Sequence, residues 1–204
     1  PQNCRTLRLE KVGQLILITV PHAKSNNSTN YDIGAVAFLP YLETAMRNID
    51  INYEVLIGDS HRELVDLNRK AAYNTEFYNE FCELLDTTVF HLDIHSYPFV
   101  EEDAPEEDAL TSMGDDLRAW SVHSAVFLDI DSVTHPIVFR NLIENVEKHL
   151  DIGIFDSSVE GAFLTTTASV LFDVPSVLME VNDQSSEDFE KLATVLAAYF
   201  ADFV

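Results

Sequence analysis

GQLILITVPH, residues 13–22, sets the terms on which the rest of the chain is read. Leu15 to Val20 reads as a short, continuous apolar run. A bilayer span needs about 20 such residues, so this run is far too short to cross a membrane. A strand with one wet face would alternate apolar with polar, and this run does not. A short continuous apolar segment is the mark of a strand buried on both faces, as in a parallel sheet. The run stops at Pro21-His22, and the polar stretch AKSNNSTN follows it as a loop.

The pattern repeats outward from there. From about Tyr31 to Asn48, Ile33, Val36, Ala37, Leu39, Leu42 and Met46 recur at helical spacing, with Pro40 marking a kink or break. YEVLIG (53–58) reads as a second strand, NTEFYNEFCELL (74–85) as an amphipathic helix, and TVFHLDIHSY (88–97) as a third strand. PFVEEDAPEEDALTSMGDD (98–116) is acidic and Pro-containing, and reads as a long loop or flap. SAVFLDI (124–130) is a fourth strand, and PIVFRNLIENVEKHL (136–150) is a helix with Pro136 in its first turn. GAFLTTTASVLFDVP (161–175) is ambiguous, a loop with a short helix. SVLMEVN (176–182) is a fifth strand, and Ser185 to Val204 a closing helix with acids in its first turn. Strands alternating with helices predict an α/β fold, a three-layer α/β/α sandwich with a mixed, mostly parallel central sheet, built as one domain over residues 1–204.

Composition narrows the partners. Twelve Lys and Arg stand against 35 Asp and Glu, a formal net charge of −23. Binding phosphates needs a basic face, so neither nucleic acid nor an anionic membrane is expected as a partner. A solvated acidic surface and adaptation to high salt are both compatible with this charge. The hydrophobic content of 47% supports a real core rather than a disordered chain. Cys4 and Cys82 lack CxxC or secreted-framework spacing, and Cys82 sits among apolar helical positions as an inert thiol. The first residues lack the pattern of a signal peptide, although Pro1 suggests that residues precede it. A cytoplasmic location is the expectation.

In α/β sheets, ligands bind beyond the carboxyl ends of the strands. Three residues there are unusual beside apolar strands: His22 after the first, His95 near the end of the third, and Glu180 near the end of the last. Two imidazoles and a carboxylate suit Zn²⁺ binding or acid–base work. Each also has a plain structural reading, a hydrogen-bonded histidine or a loop-capping glutamate. Asp93 and His91 share a strand face with His95. Asp93 serves either as an acceptor orienting that imidazole or in a separate structural contact, and His91 reads best as a satisfied core histidine. HRELVDLNRK (61–70) concentrates Arg62, Arg69 and Lys70 in an otherwise acidic chain.

VPHAKSN, HRELVDLNR, LDIHSYP and VLMEVN, in that order, resemble the motif series of the N-formylglutamate amidohydrolases, within the wider zinc carboxypeptidase and aspartoacylase-like superfamily. The likeness spans most of the chain. It implies a zinc-peptidase-like fold with His22 and His95 as zinc ligands. The third ligand departs from the pattern: carboxypeptidases and aspartoacylases carry a Glu three positions after the first His, and Ser25 stands there. The amidohydrolase branch is similar around YDIGA, which makes Asp32 the candidate ligand; the alternative is a helix N-terminal residue suited to the dipole. Glu180 falls at the general base, Arg62 at the oxyanion stabiliser, and Asn68 with Arg69 at the clamp for a substrate carboxylate. An ion pair of Arg69 with Asp66 or Glu63 is the structural alternative.

The resemblance thus implies a zinc-dependent hydrolase. Its substrate would be a small carboxylate-bearing amide or peptide: N-formylglutamate, another N-acyl amino acid, or a glutamyl peptide. The ion would acidify a water whose proton Glu180 takes. The departure at Ser25 keeps a second expectation open, a degenerate carboxylate-binding module of the same fold without catalysis.

Overall fold

A computed structural model describes residues 14–24, 31–98, 120–129, 134–156 and 162–204. Ser25, Cys4 and the acidic stretch 99–116 lie outside the described residues. The elements run β1 (Leu15–Val20), α1 (Ile33–Asn48), β2 (Tyr53–Ile57), a 3₁₀ turn (Lys70–Asn74), α2 (Glu76–Leu85), β3 (Thr88–Tyr97) and β4 (Ala125–Asp129). They continue with α3 (Pro136–Glu147), β5 (Ile152–Asp156), α4 (Phe163–Thr166) with a π-helical turn at Thr167–Leu171, β6 (Ser176–Asn182) and α5 (Ser186–Phe200).

These strands form one sheet in the order β2-β1-β3-β6-β4-β5. β1 pairs in parallel with β2 and β3, and β3 with β6. β4 is antiparallel to β6 and parallel to β5. The sheet is therefore mixed and mostly parallel, as the alternation of strand and helix predicts. β5 is a strand that the sequence reading does not contain. It is an edge strand with β4 as its one partner, and Ile154 is 44% exposed, so IGIFD shows neither a continuous apolar run nor strict alternation. Gly153 suits this strand because a Cβ there would meet the His123 ring at 2.8 Å.

Pro40 does not break α1. It sits on the exposed side of the helix, where the carbonyl freed by its missing N–H has water available. The helix ends after Asn48, where Asp50 takes a left-handed backbone (φ 59°). Ile51 N–H then returns to Met46 O and Asp50 N–H to Arg47 O, which satisfies two terminal carbonyls. α2 begins at Thr75, whose hydroxyl accepts Tyr78 N–H at 3.1 Å. Within α2, Cys82 is a free, half-buried thiol whose pKa burial pushes up.

Side-chain alternation along the strands gives the sheet two unlike faces. Ile16, Ile18, Val20, Phe90, Leu92, Ile94, Val177, Met179 and Val181 pack under α1, α3 and α5 in the large apolar core. Leu15, Leu17 and Leu56 pack on the other face under α2 and α4, with Leu67, Phe77, Phe81 and Leu164. This second face also carries Thr19, His91, Asp93 and Ser176, all buried and all polar. No helix among the described residues is long and apolar enough to cross a membrane.

Candidate metal centre

The chain leaves β1 toward β2 on one side and returns to β3 on the other, so the crevice between the ends of β1 and β3 is a topological switch point. His22 lies two residues past β1, and His95 lies near the end of β3. Asp32, at the start of α1, is pinned to the same place because its N–H bonds to His22 O at 3.0 Å. All three side chains are buried.

The ring atoms facing inward are both Nδ1. Asp32 Oδ2 lies 2.8 Å from His95 Nδ1 and 3.3 Å from His22 Nδ1. One donor atom from each residue falls within 4.8 Å of the others, a spread that zinc bonds of about 2.0–2.2 Å would draw in. The outward nitrogens are each held by a second carboxylate. His22 Nε2 is 2.8 Å from Asp66 Oδ1, and His95 Nε2 is 3.2 Å from Asp93 Oδ2. Without an ion each Nδ1–H donates to Asp32; an ion at this point would take the place of those protons, and the Nε2 protons would be left facing Asp66 and Asp93. Two imidazoles in that tautomer and a carboxylate form a donor set that fits zinc.

Burial opposes ionisation of Asp32, yet hydrogen bonds from His22 and His95 hold its carboxyl well below the usual carboxylate range. Asp66 is held low against burial by His22, by the Asn68 N–H and by Arg62. Burial likewise opposes charge on His95, but Asp93 and Asp32 outweigh it and raise that imidazole well above its ordinary value.

Asp32 is the N-cap of α1 and yet makes no side-chain cap. The N–H that a cap would satisfy, that of Gly34, donates instead to Asp183 Oδ1 at 2.9 Å and lies 3.0 Å from Ser96 Oγ. Residues just beyond β6 and within β3 thus take over the capping and free Asp32 for the imidazoles. Glycine is required for that approach, since a Cβ at Gly34 would lie 2.5 Å from Asp183 Oδ1.

Glu180 is the register partner of His95 on the adjacent strand and is half-buried. Burial pushes its carboxyl up to about 7, an effect that Asp32 reinforces and that His95, His22 and Arg62 moderate. Arg62 is exposed, and its Nε reaches Asp66 Oδ2 at 3.4 Å. Arg69 is half-buried and donates to the Asn68 carbonyl at 3.2 Å; among the described residues it has no carboxylate partner. The ion pair with Asp66 is therefore made by Arg62, not Arg69.

Asn68 differs from the expectation of a substrate clamp. It is 1% exposed, and its amide nitrogen lies 2.9 Å from His95 Nε2 and donates to Asp93 Oδ2 at 3.2 Å. Its oxygen accepts Leu164 N–H at 3.1 Å, so both ends of the amide are committed inside the protein. Sequence reasoning named Asp66 only as an ion-pair partner for Arg69, missing its contact with His22, and passed over Thr19. Asp66 lay inside the DLNR motif, and Thr19 was the one polar side chain of the β1 run.

The sequence matches no family model and no curated protein. Solved structures do match in fold. A gene product of Agrobacterium tumefaciens superposes with a TM-score of 0.59 at 14% identity, over 95% of this chain and 89% of that one. An N-formylglutamate amidohydrolase from Ralstonia eutropha gives 0.53 at 14%, over 93% and 94%. A metallo-carboxypeptidase from Burkholderia cenocepacia gives 0.57 at 10%, over 94% of this chain and 58% of that one. The chain has the fold of these amidohydrolase and carboxypeptidase structures.

Proposed function

We propose that this chain is a single-domain, zinc-dependent hydrolase that cleaves an amide bond next to a carboxylate. The substrate class is N-formylglutamate, another N-acyl amino acid, or a glutamyl peptide, and the cytoplasm is the proposed location. The reading rests on one observation: both Nδ1 atoms meet Asp32 Oδ2 while both Nε2 atoms are held by separate carboxylates. Imidazoles engaged in ordinary core contacts have no need of that arrangement on both rings.

A divalent ion held by His22, Asp32 and His95 would polarise the scissile carbonyl and lower the pKa of a water toward ~7. The chain's own groups do the rest. Asp66 and Asp93 keep the rings oriented. Glu180, with a carboxyl near 7, is poised to take a proton from water and pass it to the departing nitrogen. Arg62, tied by one long hydrogen bond, is free to turn toward the oxygen that gains charge during attack. Arg69 grips the substrate carboxylate with a guanidinium that lacks a carboxylate partner among the described residues. Asn68 serves by holding Asp93 and α4 rather than by touching substrate.

The test combines metal content with turnover. Chelated protein reconstituted with zinc is expected to hold about one ion per chain. It is expected to hydrolyse N-formyl- or N-acetylglutamate, or a γ-glutamyl peptide, and to discriminate against analogues whose carboxylate is capped as an amide. A chain that stays free of zinc sinks the reading. Zinc and ligand binding without turnover would identify the second expectation, a non-catalytic carboxylate-binding module.

A further inference from the structure

Below the metal centre the polar residues of β1, β3 and β6 form an unbroken hydrogen-bonded column. Ser176 Oγ lies 2.7 Å from His91 Nδ1, His91 Nε2 lies 2.9 Å from Thr19 Oγ1, and Thr19 Oγ1 lies 2.6 Å from Asp93 Oδ1. Asp93 Oδ2 then meets His95 Nε2 at 3.2 Å. Ser176, His91, Thr19 and Asp93 are each no more than 1% exposed.

The direction of every bond follows from counting protons. Thr19 has one hydroxyl proton, and the Asp93 carboxylate can only accept it, so Thr19 donates upward. Thr19 must then accept from His91, which places the His91 proton on Nε2. Burial pushes the His91 imidazole down to about 4, so the ring is neutral and its Nδ1 is bare. Ser176 supplies the matching donor. One carboxylate oxygen of Asp93 is thereby fixed, and the other lies 3.2 Å from His95 Nε2 while also accepting from the Asn68 amide.

We infer that His91 and Thr19 are positioning residues for the metal site, acting through Asp93 to hold the His95 ring in the orientation that turns its Nδ1 toward Asp32 and the ion. This goes beyond a satisfied core histidine, because the column has a polarity and ends on a metal-ligand ring. The inference rests on the reading of His95 as a ligand. Partners that orient ligating histidines typically change metal affinity by about 10–100-fold when removed.

The experiment measures zinc affinity by chelator competition on the full chain. Thr19→Val keeps the shape of the side chain and removes both hydroxyl bonds. Its zinc Kd is expected to rise by about 10–100-fold, with recovery in Thr19→Ser. Leu17→Ala is the control, since Leu17 is the register partner of His91 but carries no polar link. It is expected to lower Tm while leaving zinc Kd within about threefold. An unchanged Kd in Thr19→Val, or an equal loss in Leu17→Ala, overturns the inference. Should Thr19→Val fail to fold, ¹⁵N imidazole shifts of the zinc-free wild type decide: His91 protonated on Nε2 alone at neutral pH supports the column, and the other tautomer or a charged ring overturns it. Wild-type protein that takes up no zinc defeats the metal reading, while the imidazole shifts still judge the column.

Discussion

The two faces of the central sheet are made by alternate residues of the same strands, and they are built for different purposes. On β3, Phe90, Leu92 and Ile94 enter the large core, where Phe90 packs its ring against Phe200 and Phe203. His91, Asp93 and His95, one step out of phase, enter the polar column and the candidate metal centre. The apolar face stabilises through area removed from water and tolerates no unpaired polar atom. The polar face holds groups whose desolvation opposes folding, and Thr19, His91, Asp93 and His95 persist there because each is partnered. Neighbouring residues therefore divide stability from chemistry, and a substitution on either face tests the division.

The largest effects should separate cleanly between the faces. His95→Ala removes a proposed ligand and is expected to weaken zinc binding by more than about 10³-fold, with a much smaller change in the stability of the zinc-free chain. Phe90→Ala opens a cavity in the core and is expected to cost about 3–5 kcal/mol. Its zinc affinity, measured on folded protein, should remain near wild type. Denaturant titration of the zinc-free form beside chelator competition reads both quantities. If stability and affinity fall together in both variants, the faces are not independent.

A smaller effect is expected where the two faces meet, at the start of α1. Gly34→Ala places a Cβ against Asp183 and Ser96, which forces the helix terminus away and carries Asp32 with it. The close-contact penalty is about 1–3 kcal/mol, and zinc affinity is expected to fall roughly tenfold, at the low end of what a disturbed ligand support causes. Ala in place of Gly elsewhere in a helix would stabilise, so the sign is informative. Zinc affinity equal to wild type in Gly34→Ala would remove Asp32 from the ligand set.

The same geometry explains what could be read from sequence and what could not. The buried strands announced themselves as apolar runs, and His22, His95 and Glu180 stood out because a polar residue at the end of such a run is expensive without a partner. β5 was hidden because an edge strand with exposed side chains has no distinctive period. Asn68 was misplaced for another reason: a motif gives a residue's position along the chain but not the rotamer that turns its amide toward Asp93. The exchange by which Asp183 caps α1 and releases Asp32 joins residues 149 positions apart. Only the fold brings those residues together.

Glu180 offers the finest test, because it belongs to the polar face yet has no hydrogen-bond partner among the described residues. Its carboxyl is raised from 4.5 to about 7, chiefly by burial. The folded chain therefore binds more protons than the unfolded chain between those values, and by linkage this group makes stability fall as pH rises from about 4.5 to about 7. Above 7 the penalty is complete, and below 4.5 it is absent. Glu180→Gln removes it, so the zinc-free variant is expected to be more stable than wild type at pH 8 by about 1–3 kcal/mol, toward the lower figure because the side chain is partly exposed. The gain should vanish near pH 4.5. A nearby cation favours the ionised carboxyl, so saturating zinc should shrink the difference and move the acid limb of turnover below pH 7. Catalysis in Glu180→Gln is expected to drop on the order of 10²–10⁴-fold even as the fold tightens. A variant that loses stability at pH 8, or keeps its rate, would make Glu180 a structural residue and return the polar face to the role of its neighbour.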